Sequence, residues 1–345
     1  MNVKKSVWIS MIVAAACIVA GLVCIAVGHT LGGHKLMWND DYVSSDFNVT
    51  EEFQNIRVNT ISADVTFVPS EDGACRVVTK DDGRMNYTVE VVDSTLTVSA
   101  ERKSPWYKKP FSLFGGAEDA RVTIYLPATE YQSLTVKTTT GGIEVNGRLN
   151  ILGNVSLTAT TGDIEWQGSA GSLFAKATTG EISLENVTVA ETITVETTTG
   201  DINLTRVTGS SLDAHAGTGD VELVDSSITG QITAEVTTGE MTLTRVTCDG
   251  LDTQTTSGRI ELTDTVVTGH IRAKTNSGAI RLVRADAATL SLKTTSGSVT
   301  GSLCTPKVIY AHSTSGSVNV PRFTEGGLCE IETTSGSIRL TIEND

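Results

Sequence analysis

Five acidic side chains recur at one place in a repeated phrase: Asp163, Glu181, Asp201, Asp220 and Glu240 each directly follow a glycine and precede an aliphatic residue. Glu144, Glu165, Glu222 and Glu261 sit two residues further along in their own copies. Stacked at the strand spacing of about 4.8 Å, neighbouring carboxylates repel by about 0.9 kcal/mol even at the dielectric of water. Two chemistries answer that repulsion. A hard cation such as Ca²⁺ could bridge the column, or each carboxylate could accept backbone N–H bonds at the turn and stay solvated. The second is expected, because Ca²⁺ takes about six to eight oxygens and one column offers fewer. The Gly-Gly-x-Gly-x-Asp phrase of calcium-binding β-rolls is absent.

Other reactive groups are scattered. His215 and His312 share an outward position but lie five copies apart, about 24 Å at the strand spacing. No His-x-x-x-His or His-Glu pair marks a zinc site. Cys17 and Cys24 fall in an apolar segment; Cys304 and Cys329 fall at inward positions as small core hydrophobes, and no pairing with Cys75 or Cys248 is favoured. An insertion at residues 104–116 gathers Trp106, Tyr107, Phe111 and Phe114 with Lys108 and Lys109 in a chain otherwise poor in aromatics. These six are candidates for contact with a membrane or partner. A loop folded down to plug the open first turn accounts for them more simply. No motif singles out a nucleophile among the many Ser, Thr and Asp residues. Neither a catalytic residue nor a cofactor is expected.

The elements that place these residues follow from the repeat. Its glycines are Gly141, Gly162, Gly180, Gly200, Gly219, Gly239, Gly258, Gly278, Gly297, Gly316 and Gly336, eleven copies at steps of 18–21 residues. Counting from the glycine, positions −7, −5, +2 and +4 are apolar in nearly every copy. That alternation predicts two short strands per copy, one face inward, joined at a Thr-Thr/Ser-Gly corner where glycine is free to take positive φ. One copy cannot bury its own inner face; eleven stacked copies can. The expected fold is all-β, a parallel β-solenoid (β-helix, expected right-handed) of about 19–20 residues per turn, with the regular part at 134–345. Residues 50–133 are read as irregular first turns, in which Ser62-Ala63-Asp64-Val65 repeats the phrase with Ala at the glycine's place. Long loops that wall a catalytic groove have no room in copies this uniform.

Composition supports this. The chain has 345 residues, 39% of them hydrophobic, with 52 Thr, which is β-branched. A net charge of −14 argues against nucleic acid as a partner. Residues 6–28 run 23 residues without a charge behind Lys4 and Lys5, long enough as a helix (about 34 Å) to cross a hydrocarbon core of about 30 Å. The expected topology is a cytoplasmic 1–5, an uncleaved transmembrane anchor at 6–28, a juxtamembrane linker at 29–49 and an extracytoplasmic remainder.

The phrases FQNIRVNTISADVTFVPSEDG and RVTIYLPATEYQSLTVKTTTGGIEV, followed by TTGDI-x-L and TSGSI-x-L repeats, resemble the bacterial putative-adhesin β-strand-repeat family, a domain of unknown function. The resemblance covers most of residues 50–342. It implies a β-helical rod, often on a membrane anchor in Gram-positive bacteria and sometimes encoded near regulators of envelope stress. It supplies no catalytic residues.

Two functions follow as expectations. One is a non-enzymatic cell-surface module that binds a protein or glycan in adhesin fashion. The other is an accessory or sensor of envelope stress that acts through membrane partners. A polysaccharide-active β-helix enzyme is a distant third. The final copy, Thr333–Ile342, runs straight into the terminus, so its edge is expected to lie open and to invite end-to-end self-association.

Overall fold

The computed structural model describes residues 43–343 apart from 82, 104–119 and 148. The N-terminal segment 6–28 and the insertion 104–116, with its six candidate interface residues, lie outside the described residues. Among the described residues no helix is long and apolar enough to cross a membrane.

Alternating Thr, Val, Ile and Leu build strands that stack in parallel and in register. Ile182 lies against Ile202 and Ile202 against Val221, while Ile193 lies against Leu212 and Leu212 against Ile232. Inward columns formed this way are fully buried, and each aliphatic side chain contributes about 1.5–3 kcal/mol. The parallel β-solenoid is therefore as the repeat predicts, but each turn has three faces where the apolar pattern indicates two. In the Gly200 copy, Thr192–Thr199 leads to the corner and Ile202–Gly209 leaves it. That second strand bends at Arg206, whose φ is +55°, and its last residues pair on a third short face, Thr208 with Thr188 and Ser227.

The corner glycines form one column, because a Cβ at each would collide with the backbone carbonyl of the corner one layer below. Ala63 occupies the column's first place beneath Gly141. Positive φ is needed only in part. Gly141 to Gly239 take φ of +135° to +148°, whereas Gly258 and those after it do not adopt the left-handed region. Close approach is the common cause.

Stacking order departs from chain order at both ends. Strands Gly327–Ser335 and Ile338–Ile342, the last copy, lie between the Gly297 copy (Thr289–Ser296, Val299–Leu303) and the Gly316 copy (Lys307–Ser315, Val318–Asn319). The expected open edge at Thr333–Ile342 is thus corrected: this copy is paired on both sides, Ile338 is 0% exposed, and the rod ends on the Gly316 copy. At the other end, Asn55–Asn59 lies between Thr95–Arg102 and Ser133–Thr140, so the first turn is again interior. Antiparallel strands complete that end: Met85–Val92 on Thr95–Arg102, Cys75–Asp81 on Arg121–Leu126, and Val43–Val49 on Cys75–Asp81. Residues 43–49, expected in the linker, are this outermost strand. Cys75, Cys248 and Cys329 are buried thiols, which burial pushes up to about 11, 12 and 12.

Candidate interaction surface

The corner carboxylates do what backbone chemistry asks of them. Asp163 Oδ1 accepts the N–H of Glu181 at 2.8 Å, Asp201 that of Asp220 at 2.8 Å, and Asp220 that of Glu240 at 2.7 Å. Asp64 does the same for Gly142 at 2.9 Å. Each aspartate ties its own turn to the next. Glu181, one methylene longer, accepts from Asn203 Nδ2 at 2.6 Å instead. From the inner side, Thr197, Thr255, Thr275, Thr294 and Thr333 donate their hydroxyls to the corner carbonyl one layer below, at 2.9–3.3 Å. Buried hydroxyls and corner carbonyls thus satisfy one another.

Glu165 feels the rest of the column. Burial, then the charges of Glu144, Asp163 and Glu181, raise its carboxyl above the usual range. A carboxyl raised on folding favours the folded state less once it ionises, so its cost appears as pH rises through its raised pKa. Glu165→Gln is expected to raise the melting temperature slightly at pH 7, by less than about 3 °C. The gain should vanish near pH 3, below the ordinary glutamate range, where both folded and unfolded chains carry the proton. Calorimetry at the two pH values checks this.

A second column was not visible in a pattern read from apolar positions. Six residues past the corner stand Asn186, Arg206, Asp225, Arg245, Asp264 and Arg284, all with φ of +49° to +55°. Left-handed backbone costs a residue with a Cβ about 1–2 kcal/mol. From Arg206 on, arginine and aspartate alternate up this strained column. Arg284 Nε and Nη2 each donate to Asp264 at 2.6 Å, and Arg245 grips Asp225 in the same two-pronged way. Arg206 Nε donates to Asn186 at 2.6 Å while its Nη2 reaches Glu185. The guanidinium of Arg245 holds the Asp225 carboxyl below its ordinary value. Reading position +6 through the repeat would have revealed the alternation.

A third column runs four residues before the corner. Lys176 meets Glu196 at 2.6 Å, His215 meets Glu235 at 3.5 Å and Lys293 meets Glu332 at 3.0 Å. His215 and His312 stay apart, six layers instead of five because of the inserted last copy. Two shallow concavities lie near the C-terminal end of the rod. One of about 310 Å³ is lined by Lys274, Lys293, His312, Glu332 and neighbouring threonines; one of about 490 Å³ lies beside Val320, Phe323, Leu340 and Ile342.

The sequence profile described as Toastrack DUF4097 matches residues 53–263 and again 238–345, nearly the whole of the described rod. The chain belongs to this family. No curated protein is similar to it. Among solved structures, this Toastrack chain is similar to a putative adhesin from Bacteroides fragilis NCTC 9343, with 14% identity, 88% of this chain and 98% of that one covered, and a TM-score of 0.38. A putative adhesin from Parabacteroides merdae ATCC 43184 shares 15% identity over 77% and 98% of the two chains, with a TM-score of 0.40. A putative lipid binding protein from Parabacteroides distasonis ATCC 8503 shares 14% over 88% and 98%, with a TM-score of 0.37. The two matches of the Toastrack profile overlap at 238–263, a stretch that holds the corners at Gly239 and Gly258.

Proposed function

We propose that this Toastrack chain is a non-enzymatic surface-interaction module, held outside the cytoplasm on a single N-terminal membrane anchor and binding a protein or glycan at the cell surface. The observation that carries the reading is the state of its outward columns. Many of their charged groups are committed to the rod: the corner aspartates cap the next turn and guanidiniums grip the turn below. Groups held this way present a long, stiff, polar lattice for recognition, in a chain whose family offers no catalytic motif. The uncharged segment 6–28 behind Lys4 and Lys5 supports the anchor.

Charge narrows the partner. Residues 130–249 carry 16 Asp and Glu against 5 Lys and Arg, whereas residues 250–345 carry nine of each. The acidic stretch favours a basic or uncharged ligand and repels acidic polymers. Protease added to intact protoplasts is expected to digest the rod while the mature chain keeps Met1. A mature N-terminus near residue 30 would refute the anchor. Full-length protein on a glycan and cell-surface-protein array should bind without consuming what it binds; turnover of a bound ligand would overturn the non-enzymatic reading.

A further inference from the structure

The rod ends on a strand that no other described strand covers. Lys307–Ser315 pairs with Gly327–Ser335 on one side only, and Val318–Asn319 pairs only with Ile338–Ile342. An uncovered edge strand offers a row of N–H and C=O groups to any other strand, and natural proteins blunt such edges with charge or proline. Here the prolines and charges flank the strand, Pro306 before it and Pro321, Arg322 and Glu325 beyond Val318–Asn319, while the strand itself has no exposed Lys, Arg, Asp or Glu. Its only charged side chain, Lys307, is 5% exposed and turned inward, its Nζ 2.6 Å from Asp286 Oδ1. Tyr310, Val318 and Phe323 instead stand 65%, 44% and 38% exposed along the same end.

The opposite end differs. There the outermost strands, Val43–Val49 and Met85–Val92, run antiparallel to their neighbours and carry Asp46 and Glu90. At the far end the charges stand within the outermost strands; at this end they stand beside the strand.

We infer that the open end is where a second copy of this chain docks head to head, the two Lys307–Ser315 strands pairing antiparallel across a two-fold axis. A two-fold axis sets the same uncharged strand against itself, so pairing brings no like charges together. Charge along the rod agrees. The balanced final third lets two copies meet there, while the acidic 130–249 region drives their sides apart. Among the described residues, the far end's edge strands carry Asp46 and Glu90, whereas this end's edge strand carries no exposed charge. Pairing is therefore expected at this end alone, and the product is a closed dimer and not a filament. A strand from an unrelated protein would satisfy the same backbone edge, and the test separates the two.

Two differently tagged full-length chains are co-expressed, solubilised in mild detergent and captured through one tag. The partner tag is expected to be recovered, and sedimentation in density-matched detergent should show a dimer. Tyr310→Glu with His312→Glu places four carboxylates around the two-fold axis at exposed positions. It should cut the recovered partner by about tenfold or more, a change of about 1.4 kcal/mol in pairing, with the melting temperature unchanged. If the double variant melts early, Val318→Lys is read in the same way. Ser44→Glu, on the far end, should leave recovery intact. A wild-type chain that is strictly monomeric at high concentration would overturn the inference. So would variants that pair as well as wild type, or loss of pairing with Ser44→Glu alone.

Discussion

Gly200→Ala is expected to unfold the rod at a markedly lower temperature than any substitution on its outward columns. A Cβ there would collide with the Gly180 carbonyl oxygen, far inside the 3.0 Å that real Cβ atoms keep. The clash is with backbone, which cannot rotate away. Relief requires the two layers to part, and parting them strains Gly180 N–H to Thr199 O (3.0 Å) and Ile182 N–H to Asp201 O (2.9 Å). A cost above about 3 kcal/mol, or more than roughly 6 °C in Tm, follows for a fold of this size. Gly73→Ala supplies the contrast. Gly73 has φ of +73° but open space around it, so only the backbone cost of about 1–2 kcal/mol applies. Gly278→Ala separates the causes, since Gly278 does not need the left-handed region yet a Cβ there meets the Gly258 carbonyl. A loss at Gly278 as large as at Gly200 assigns the requirement to stacking. A harmless Gly278→Ala would return it to φ.

The period was legible because every turn of a solenoid repeats one local solution, so each copy reports the same inward and outward positions. Even Ala63 declares its place, with Val65 pairing to Ile143 two residues on. The third face was hidden because its bend falls on a polar residue such as Arg206 or Asp264, and apolar alternation is silent there. The order of the last two copies was hidden for another reason. TSGSVNV and TSGSIRL satisfy the same register, so local pattern cannot say which stacks on the Gly297 copy. A burial argument could have. The copy with the larger inward set, Ile331, Ile338 and Leu340, gains more from an interior layer than the one with Ala311, Val318 and Val320. The carboxylate column was legible as a hydrogen-bonding device, because an Asp one residue past a stacked corner stands one strand spacing from the next free N–H. The open end was not, since it depends on the crossing of the last two copies.

That crossing rests on a buried ion pair, and breaking it is the second large effect. Lys307 begins the outermost copy, whereas Asp286 lies in the connection before Thr289–Ser296, two layers further in. The inserted last copy runs between them, and at that point it places Gly327, beside which the lysine stem passes. The side chains of Lys307 and Asp286 are 6% and 14% exposed, and Thr305 Oγ1 accepts a second bond from the same ammonium. Lys307→Met would strand a largely buried carboxylate without its partner. The expected cost is about 3–5 kcal/mol. Asp286→Leu alone strands the ammonium and should cost a similar amount. Joining the two substitutions removes both charges and should restore most of the loss, because a buried pair contributes little net stability over an apolar replacement. Calorimetry reads the three melting temperatures. Hydrogen exchange places the damage: in Lys307→Met, amides of 307–319 should exchange much faster while those of the Gly180 to Gly239 layers keep their protection. A single-variant loss below about 1 kcal/mol would mean that strand pairing, not the ion pair, holds the outermost copy over the inserted one.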